Sequence, residues 1–186
     1  MTYPPANRRT YAVDTPPLFS SEREDPATQS AVENALRHAI EYTPGNVLCF
    51  FPSYGEAERY HDRLVDVDGG RFLDEPGVAV QELKAKFTAS EDATMFTSMW
   101  GTLAEGVSFD GDDAHTVVVV GVPYPYLDDR LRAVEDAYDA RHGEGTGWRY
   151  AVEIPTVRKT RQAIGRVVRS PADVGARILL DRRYTT

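Results

Sequence analysis

Gln162, Arg166 and Arg169 place one side-chain amide and two fixed cations within the eight residues Gln162-Ala163-Ile164-Gly165-Arg166-Val167-Val168-Arg169. On a helix, positions three and four apart share a face, so the spacing predicts that all three project together. Such a set suits a phosphoryl group whose charge spreads over its oxygens in the transition state. Arginine serves better than lysine there, because its planar fork grips phosphate through two bonds. Gly165 lets a second backbone come close. By spacing alone, a solvated basic helix face fits the same residues.

Three further segments carry polar or aromatic groups directly after apolar runs. Trp100-Gly101-Thr102-Leu103-Ala104-Glu105-Gly106-Val107-Ser108-Phe109 is a glycine–hydroxyl–carboxylate–glycine loop. It lies at a strand's end, where open α/β sheets bind ligands. Glu105 suits a ribose, a metal-bound water or a catalytic arginine, and Thr102 suits a backbone phosphate. An ordinary strand-to-helix turn, with Glu105 as a helix-start charge, fits as well. In Phe50-Phe51-Pro52-Ser53-Tyr54, the Ser53 hydroxyl and Tyr54 ring are placed to meet a nucleic-acid backbone and base. They equally suit a helix cap and local packing. Gly121-Val122-Pro123-Tyr124-Pro125-Tyr126 is stiffened by two prolines, and its tyrosines suit base stacking or packing against a neighbouring domain.

The elements that must position these groups follow from periodicity. Ala31, Val32, Ala35, Leu36, Ala39 and Ile40 recur at helical spacing, which predicts a helix over 28–42 that ends at Thr43-Pro44-Gly45-Asn46. Val47–Phe51 and Thr116–Val120 are fully apolar and read as central strands of a parallel sheet. Thr94–Met99, Val78–Gln81 and Ile178–Leu180 read as further strands, and Thr10–Val13 as a short strand-like run. Helices are expected over Glu56–Val65, Leu127–Arg141 and Val157–Arg169, the last entered after Pro155. Gly143–Gly147 reads as a loop and Asp74–Gly77 as a turn. Strands alternating with helices predict an α/β fold, a parallel sheet covered on both faces. Residues 1–27 read as a lead-in segment and 28–186 as the single domain proper.

Composition narrows the chemistry. With 41% hydrophobic residues, the 186-residue chain is expected to bury a core. Cys49 is the only cysteine, which excludes an internal disulfide, a Cys-ligated zinc site and an iron–sulfur cluster within this chain. It sits among apolar residues, as an inert buried thiol does. The four histidines are scattered singly, so no metal site is expected. The net charge of −8, with lysine only at 84, 86 and 159, suits work in high salt. That acidity argues against a protein that coats nucleic acid, but leaves room for a local DNA track. No apolar run approaches membrane-span length, and the N-terminus has no signal-like stretch, so a cytoplasmic protein without a membrane partner is expected.

Two common nucleotide-binding signatures do not occur in the sequence. There is no Gly-x-x-x-x-Gly-Lys-Ser/Thr loop, since Lys159-Thr160 follows Arg158, and no acidic box follows a strand. Gly143-Glu144-Gly145-Thr146-Gly147 does not follow a strand either, which argues against a dinucleotide-binding oxidoreductase.

Taken in order, the four segments resemble the second motor domain of superfamily 2 helicases of the XPD/DinG type. Phe50–Tyr54 resembles motif IV, Trp100–Phe109 motif V, Val118–Pro125 the segment ending Gly-Val-Pro-Tyr-Pro, and Gln162–Arg169 motif VI with Asp173 and Gly175 following. Leu180-Asp181-Arg182-Arg183-Tyr184 is similar to the closing strand, and Pro4–Arg8 to the start of the domain. The resemblance runs from about residue 4 to residue 184. It implies a RecA-like fold, P-loop-NTPase-like, in a 5′→3′ DNA helicase, often of repair. ATP and Mg²⁺ would be shared with an N-terminal helicase motor domain absent here. Arg166 and Arg169 would be arginine fingers, and Gln162 would position the γ-phosphate or water. Glu105, Gly106 and Gly165 would line the nucleotide cleft, while Ser53, Tyr54 and Thr102 contact single-stranded DNA. The chain alone is expected to be inactive. The alternative is a non-catalytic module that binds single-stranded DNA or docks on a protein.

Overall fold

The structure, a computed structural model, describes residues 7–109, 111–167 and 173–185. Six strands form one sheet: β1 (Arg8–Val13), β2 (Val47–Phe51), β3 (Arg71–Leu73), β4 (Thr94–Ser98), β5 (Thr116–Val120) and β6 (Gly175–Leu180). Their order across the sheet is β1-β6-β5-β2-β4-β3, and every pairing is parallel. Parallel neighbours need crossovers, and these are helical. They are α1 (Pro26–Glu41), α2 (Tyr54–Arg63), α3 (Val80–Thr88), α4 (Thr102–Gly106), α5 (Asp129–His142), α6 (Thr146–Trp148) and α7 (Ile154–Ile164).

The central strands alternate between two cores, as a period of two requires. Val47, Cys49 and Phe51 of β2, with Val118 and Val120 of β5, pack on α1 and α2 through Val32, Leu36, Ala57 and Tyr60. Leu48 and Phe50, with Val117 and Val119, pack on α3, α4 and α7 through Phe87, Leu103 and Ala163. Cys49 is fully buried, and burial pushes its thiol pKa well up.

Caps set where the helices begin. Asp25 accepts the Thr28 N–H at 2.8 Å and Pro26 opens α1. Ser53 accepts the Glu56 N–H at 3.2 Å and starts α2. At the amino edge of the sheet, buried Asn46 staples three segments. Its amide donates to the Phe87 and Asp113 carbonyls and accepts from the Ala93 N–H at 2.8 Å.

Several expectations need correcting. Val78–Gln81 is no strand: Val80 opens α3, whose Leu83 and Phe87 bury at helical spacing. The edge strand is instead Arg71–Leu73, too short to show an alternating pattern. Helical backbone begins at Thr146, not after Pro155, and a π-helical turn over Arg149–Glu153 leads into α7. Such a turn suits the missing N–H of Pro155. The same helix stops at Ile164, with Gly165 as its C-cap, five residues short of Arg169. The Thr10–Val13 run is part of β1, which pairs with β6 over its whole length.

Because the Asn46 side chain is buried, replacing it strands one N–H and two carbonyls. Asn46→Ala is expected to lower stability by at least about 2 kcal/mol, read as a shifted urea midpoint with unchanged slope.

Candidate functional site

An all-parallel sheet sends the carboxyl ends of its strands to one edge, and the predicted nucleic-acid residues gather there. Tyr54, after β2, and Gly101, after β4, meet directly. A Cβ on Gly101 would lie 2.5 Å from the Tyr54 hydroxyl and 3.2 Å from Asp74 Oδ2, so only glycine fits without displacement. Burial, then the charge of Asp74, pushes the Tyr54 phenol pKa up, while the Thr102 N–H acts in the opposite sense. Thr102 is exposed, and Trp100 stands 46% exposed beside it. Ser53 is the cap of α2, so the helix-cap reading of its hydroxyl holds in this structure.

Asp74 departs from the expected turn. It directly follows β3 at 1% exposure, and its Oδ2 accepts from Thr97 Oγ1 at 2.7 Å. Burial raises its carboxyl pKa, and the Thr97 hydrogen bond opposes that rise. The turn proper follows, closed by the Val78 N–H on the Glu75 carbonyl.

Of the predicted phosphate residues, Gln162 and Arg166 lie against the other side of α4. Arg166 has left the helix: its backbone N–H bonds the Ala163 carbonyl in a tighter turn. Its guanidinium donates to the Ala104 and Val107 carbonyls. Those groups belong to the carboxyl end of α4, where the helix leaves carbonyls unpaired and a cation is favoured. Gln162 is exposed and lines a seam with Met99, Ala104 and Lys159. The nearly buried Lys159 ammonium lies 4.8 Å from the centre of the Trp100 ring. Arg166 and Lys159 therefore join the end of α7 to the loop after β4. Gly106 is exposed at the end of α4, Glu105 lies within it, and Gly165 caps α7. Arg169 lies outside the described residues.

A cavity of about 390 Å³ opens beside the carboxyl ends of β5 and β6, lined by Tyr124, Trp148, Thr156, Arg161, Arg183 and Tyr184, among others. The Tyr124 and Trp148 rings are 6.0 Å apart. The fully buried Asp181 holds Arg183 through Nε at 2.8 Å and a terminal nitrogen at 2.5 Å. The Arg183 guanidinium lies 4.5 Å from the Phe19 ring and 5.3 Å from that of Tyr124. The buried Thr156 Oγ1 has no hydrogen-bond partner among the described residues. Sequence reasoning did not single out Trp148, Arg183 or Asp74 as site residues. For Asp74, the signal was an acid directly after the apolar pair Phe72-Leu73.

Among the described residues, no group of three or more His, Cys, Asp or Glu side chains is placed to hold a metal ion. No described helix is long and apolar enough to cross a membrane.

An open parallel sheet with helices on both faces, and its polar groups at the carboxyl edge, is the RecA-like α/β architecture. A solved XPD helicase structure superposes with a TM-score of 0.81 at 25% identity, covering 96% of this chain and 32% of that one. The chain belongs to the helicase C-terminal domain family, which it matches over residues 36–186. The XPD subunit of the general transcription and DNA repair factor IIH from Arabidopsis thaliana is 27% identical over 182 residues. The ATP-dependent DNA helicase XPD of Sulfolobus acidocaldarius is 29% identical over 142. These matches cover 88% and 75% of this chain but only 23% and 25% of those proteins. The XPD/DinG-type resemblance read from the motifs is thereby shown.

Gly101→Ala forces a methyl against the Tyr54 hydroxyl and is expected to cost about 1–3 kcal/mol. Adding Tyr54→Phe should recover part of that loss. Thermal unfolding of the two single variants and the double variant checks the coupling.

Proposed function

We propose that this chain is the second motor domain of an ATP-dependent DNA helicase that moves 5′→3′ on single-stranded DNA in repair, and that it works in the cytoplasm. The observation that carries the reading is the match to the helicase C-terminal domain family over residues 36–186, shared with ATP-dependent DNA helicases. In support, the Arg166 guanidinium, just past the end of α7, grips the Ala104 and Val107 carbonyls of the loop whose other end, at Thr102, lies by Tyr54. A change at a nucleotide on one side of that loop has a short, packed route to the DNA-facing turn on the other.

The donor set fits phosphate oxygens: an amide from Gln162 and guanidinium groups from Arg166 and Arg169. It does not fit magnesium, which takes carboxylates and water. ATP and Mg²⁺ would therefore be held chiefly by an N-terminal motor domain, which also supplies the phosphate-cradling loop. Bound ATP supplies the transferable phosphoryl group. Here Arg166 and Arg169 would stabilise its charge, Gln162 would orient it, and Glu105, Gly106 and Gly165 would line the cleft wall. Ser53, Tyr54 and Thr102 would bind the strand. The Tyr124–Trp148 rings and Arg183 would extend that track, because aromatic faces and arginines suit bases and phosphates without sequence preference. Without the P-loop, the isolated chain would not hydrolyse ATP.

A second reading draws on one observation: both terminal nitrogens of Arg166 are engaged by carbonyls of its own domain. A non-catalytic module that binds single-stranded DNA or docks on a partner protein would use Arg166 in that way only.

The deciding experiment is DNA-stimulated ATP hydrolysis in the full-length protein, or with the first motor domain supplied. Arg166→Ala and Arg169→Ala are each expected to cut turnover by about a thousandfold or more, with ATP binding largely kept. Unchanged turnover would give the lead to the binding module.

A further inference from the structure

We propose that Asp74 is a positioning residue: acting with Thr97 and Tyr54, it fixes the Gly101–Thr102 turn against the Ser53–Tyr54 turn. This rests on the reading of Tyr54 and Thr102 as DNA contacts and adds the group that holds them in place.

The starting point is a carboxyl group in an unfavourable location. Asp74 is 1% exposed, directly after the three-residue edge strand β3. A carboxylate there loses most of its hydration, and a leucine would bury without that cost. No salt bridge joins Asp74 to a cation among the described residues. Its partner is the Thr97 hydroxyl, itself fully buried in β4, which donates at 2.7 Å. The Asp74 backbone N–H bonds the Phe96 carbonyl at 2.9 Å, so main chain and side chain both fasten it to β4.

That fastening aims the carboxylate at a particular place. The oxygen that accepts from Thr97 is also the one that would lie 3.2 Å from a Cβ on Gly101. The Tyr54 hydroxyl approaches the same bare Cα, at 2.5 Å from the same built atom. The ends of three adjacent strands, β2, β4 and β3, thus converge through Tyr54, Gly101 and Asp74. Gly101 is the N-cap of α4, and the helix offers no side-chain cap hydrogen bond there. The Gly101 N–H on the Ser98 carbonyl and the Ala104 N–H on the Gly101 carbonyl close this turn on itself, and the phenol and carboxylate packed on Gly101 set it against β2 and β3. Had Asp74 only closed the end of β3, its loss would weaken the whole fold without singling out this turn.

The test is amide hydrogen exchange by NMR on the 186-residue chain, paired with binding of a fluorescent oligothymidylate. Asp74→Ala removes the carboxylate. Thr97→Val removes only the hydroxyl at nearly constant volume, and covers the case in which Asp74→Ala fails to fold. Both are expected to speed exchange at Thr102 and Leu103 by about tenfold or more, while Val118 and Val119 keep their rates. Thr97→Ser, which keeps the hydroxyl, should restore the wild-type rates, and oligothymidylate affinity should fall severalfold in the first two variants alone. Unchanged Thr102 exchange in Thr97→Val, or an equal rise in β5, overturns the proposal while leaving the DNA reading intact. Faster Thr102 exchange with undiminished affinity, in these variants and in Tyr54→Ala, overturns the DNA reading and this inference with it.

Discussion

Everything in this molecule depends on one constraint: the strands run parallel and are buried on both faces. Parallel pairing forces each connection to cross the sheet, and burial on both faces forces those connections to be helices with apolar stripes. Their joint effect is directional. Each strand delivers its last residue to the same edge, so groups far apart in sequence become neighbours there. Ser53, Asp74, Gly101, Tyr124 and Arg183 follow five different strands and share that edge. At the opposite edge the buried Asn46 side chain closes the strand starts with its amide hydrogen bonds.

Within that frame the loop after β4 is the junction. One side of it is pressed on Tyr54 and Asp74 through a bare glycine Cα. The other side is gripped by Arg166 on its carbonyls and by Lys159 beneath the Trp100 ring. A segment this short has little core of its own, and its placement comes from groups delivered by β2, β3 and α7. That is the arrangement expected of a part that relays a change at one surface to another.

The sequence made the central strands and their helices plain, because pure valine or aromatic runs and 3.6-residue spacing leave little choice. It misled where a short element carries no periodicity. Arg71–Leu73 is three residues long, and Val78–Gln81 looked extended only because its apolar residues were read without Leu83 and Phe87. The end of α7 was misplaced for a different reason. Gly165 was read as room for a neighbouring backbone, whereas it stops the helix, and Arg166 consequently turns onto α4. The segments at the carboxyl edge were legible as polar groups after apolar runs. Asp74 was not, since burial of a lone acid is decided by Thr97 and Gly101, distant in sequence. Trp148 and Arg183 reach their cavity through a helical insertion and a closing turn, and no local pattern announces that meeting.

The proposed function makes the carboxyl edge of the sheet a single-stranded DNA surface. Hydrogen–deuterium exchange of the chain with and without an oligothymidylate tests it most directly. Slowed exchange is expected at Ser53–Tyr54, Gly101–Thr102, Gly121–Tyr126 and around Trp148 and Arg183, with no change at Tyr42–Asn46 or Asp92. Slowing confined to that amino edge, or to the outer faces of α1 and α2, would contradict it.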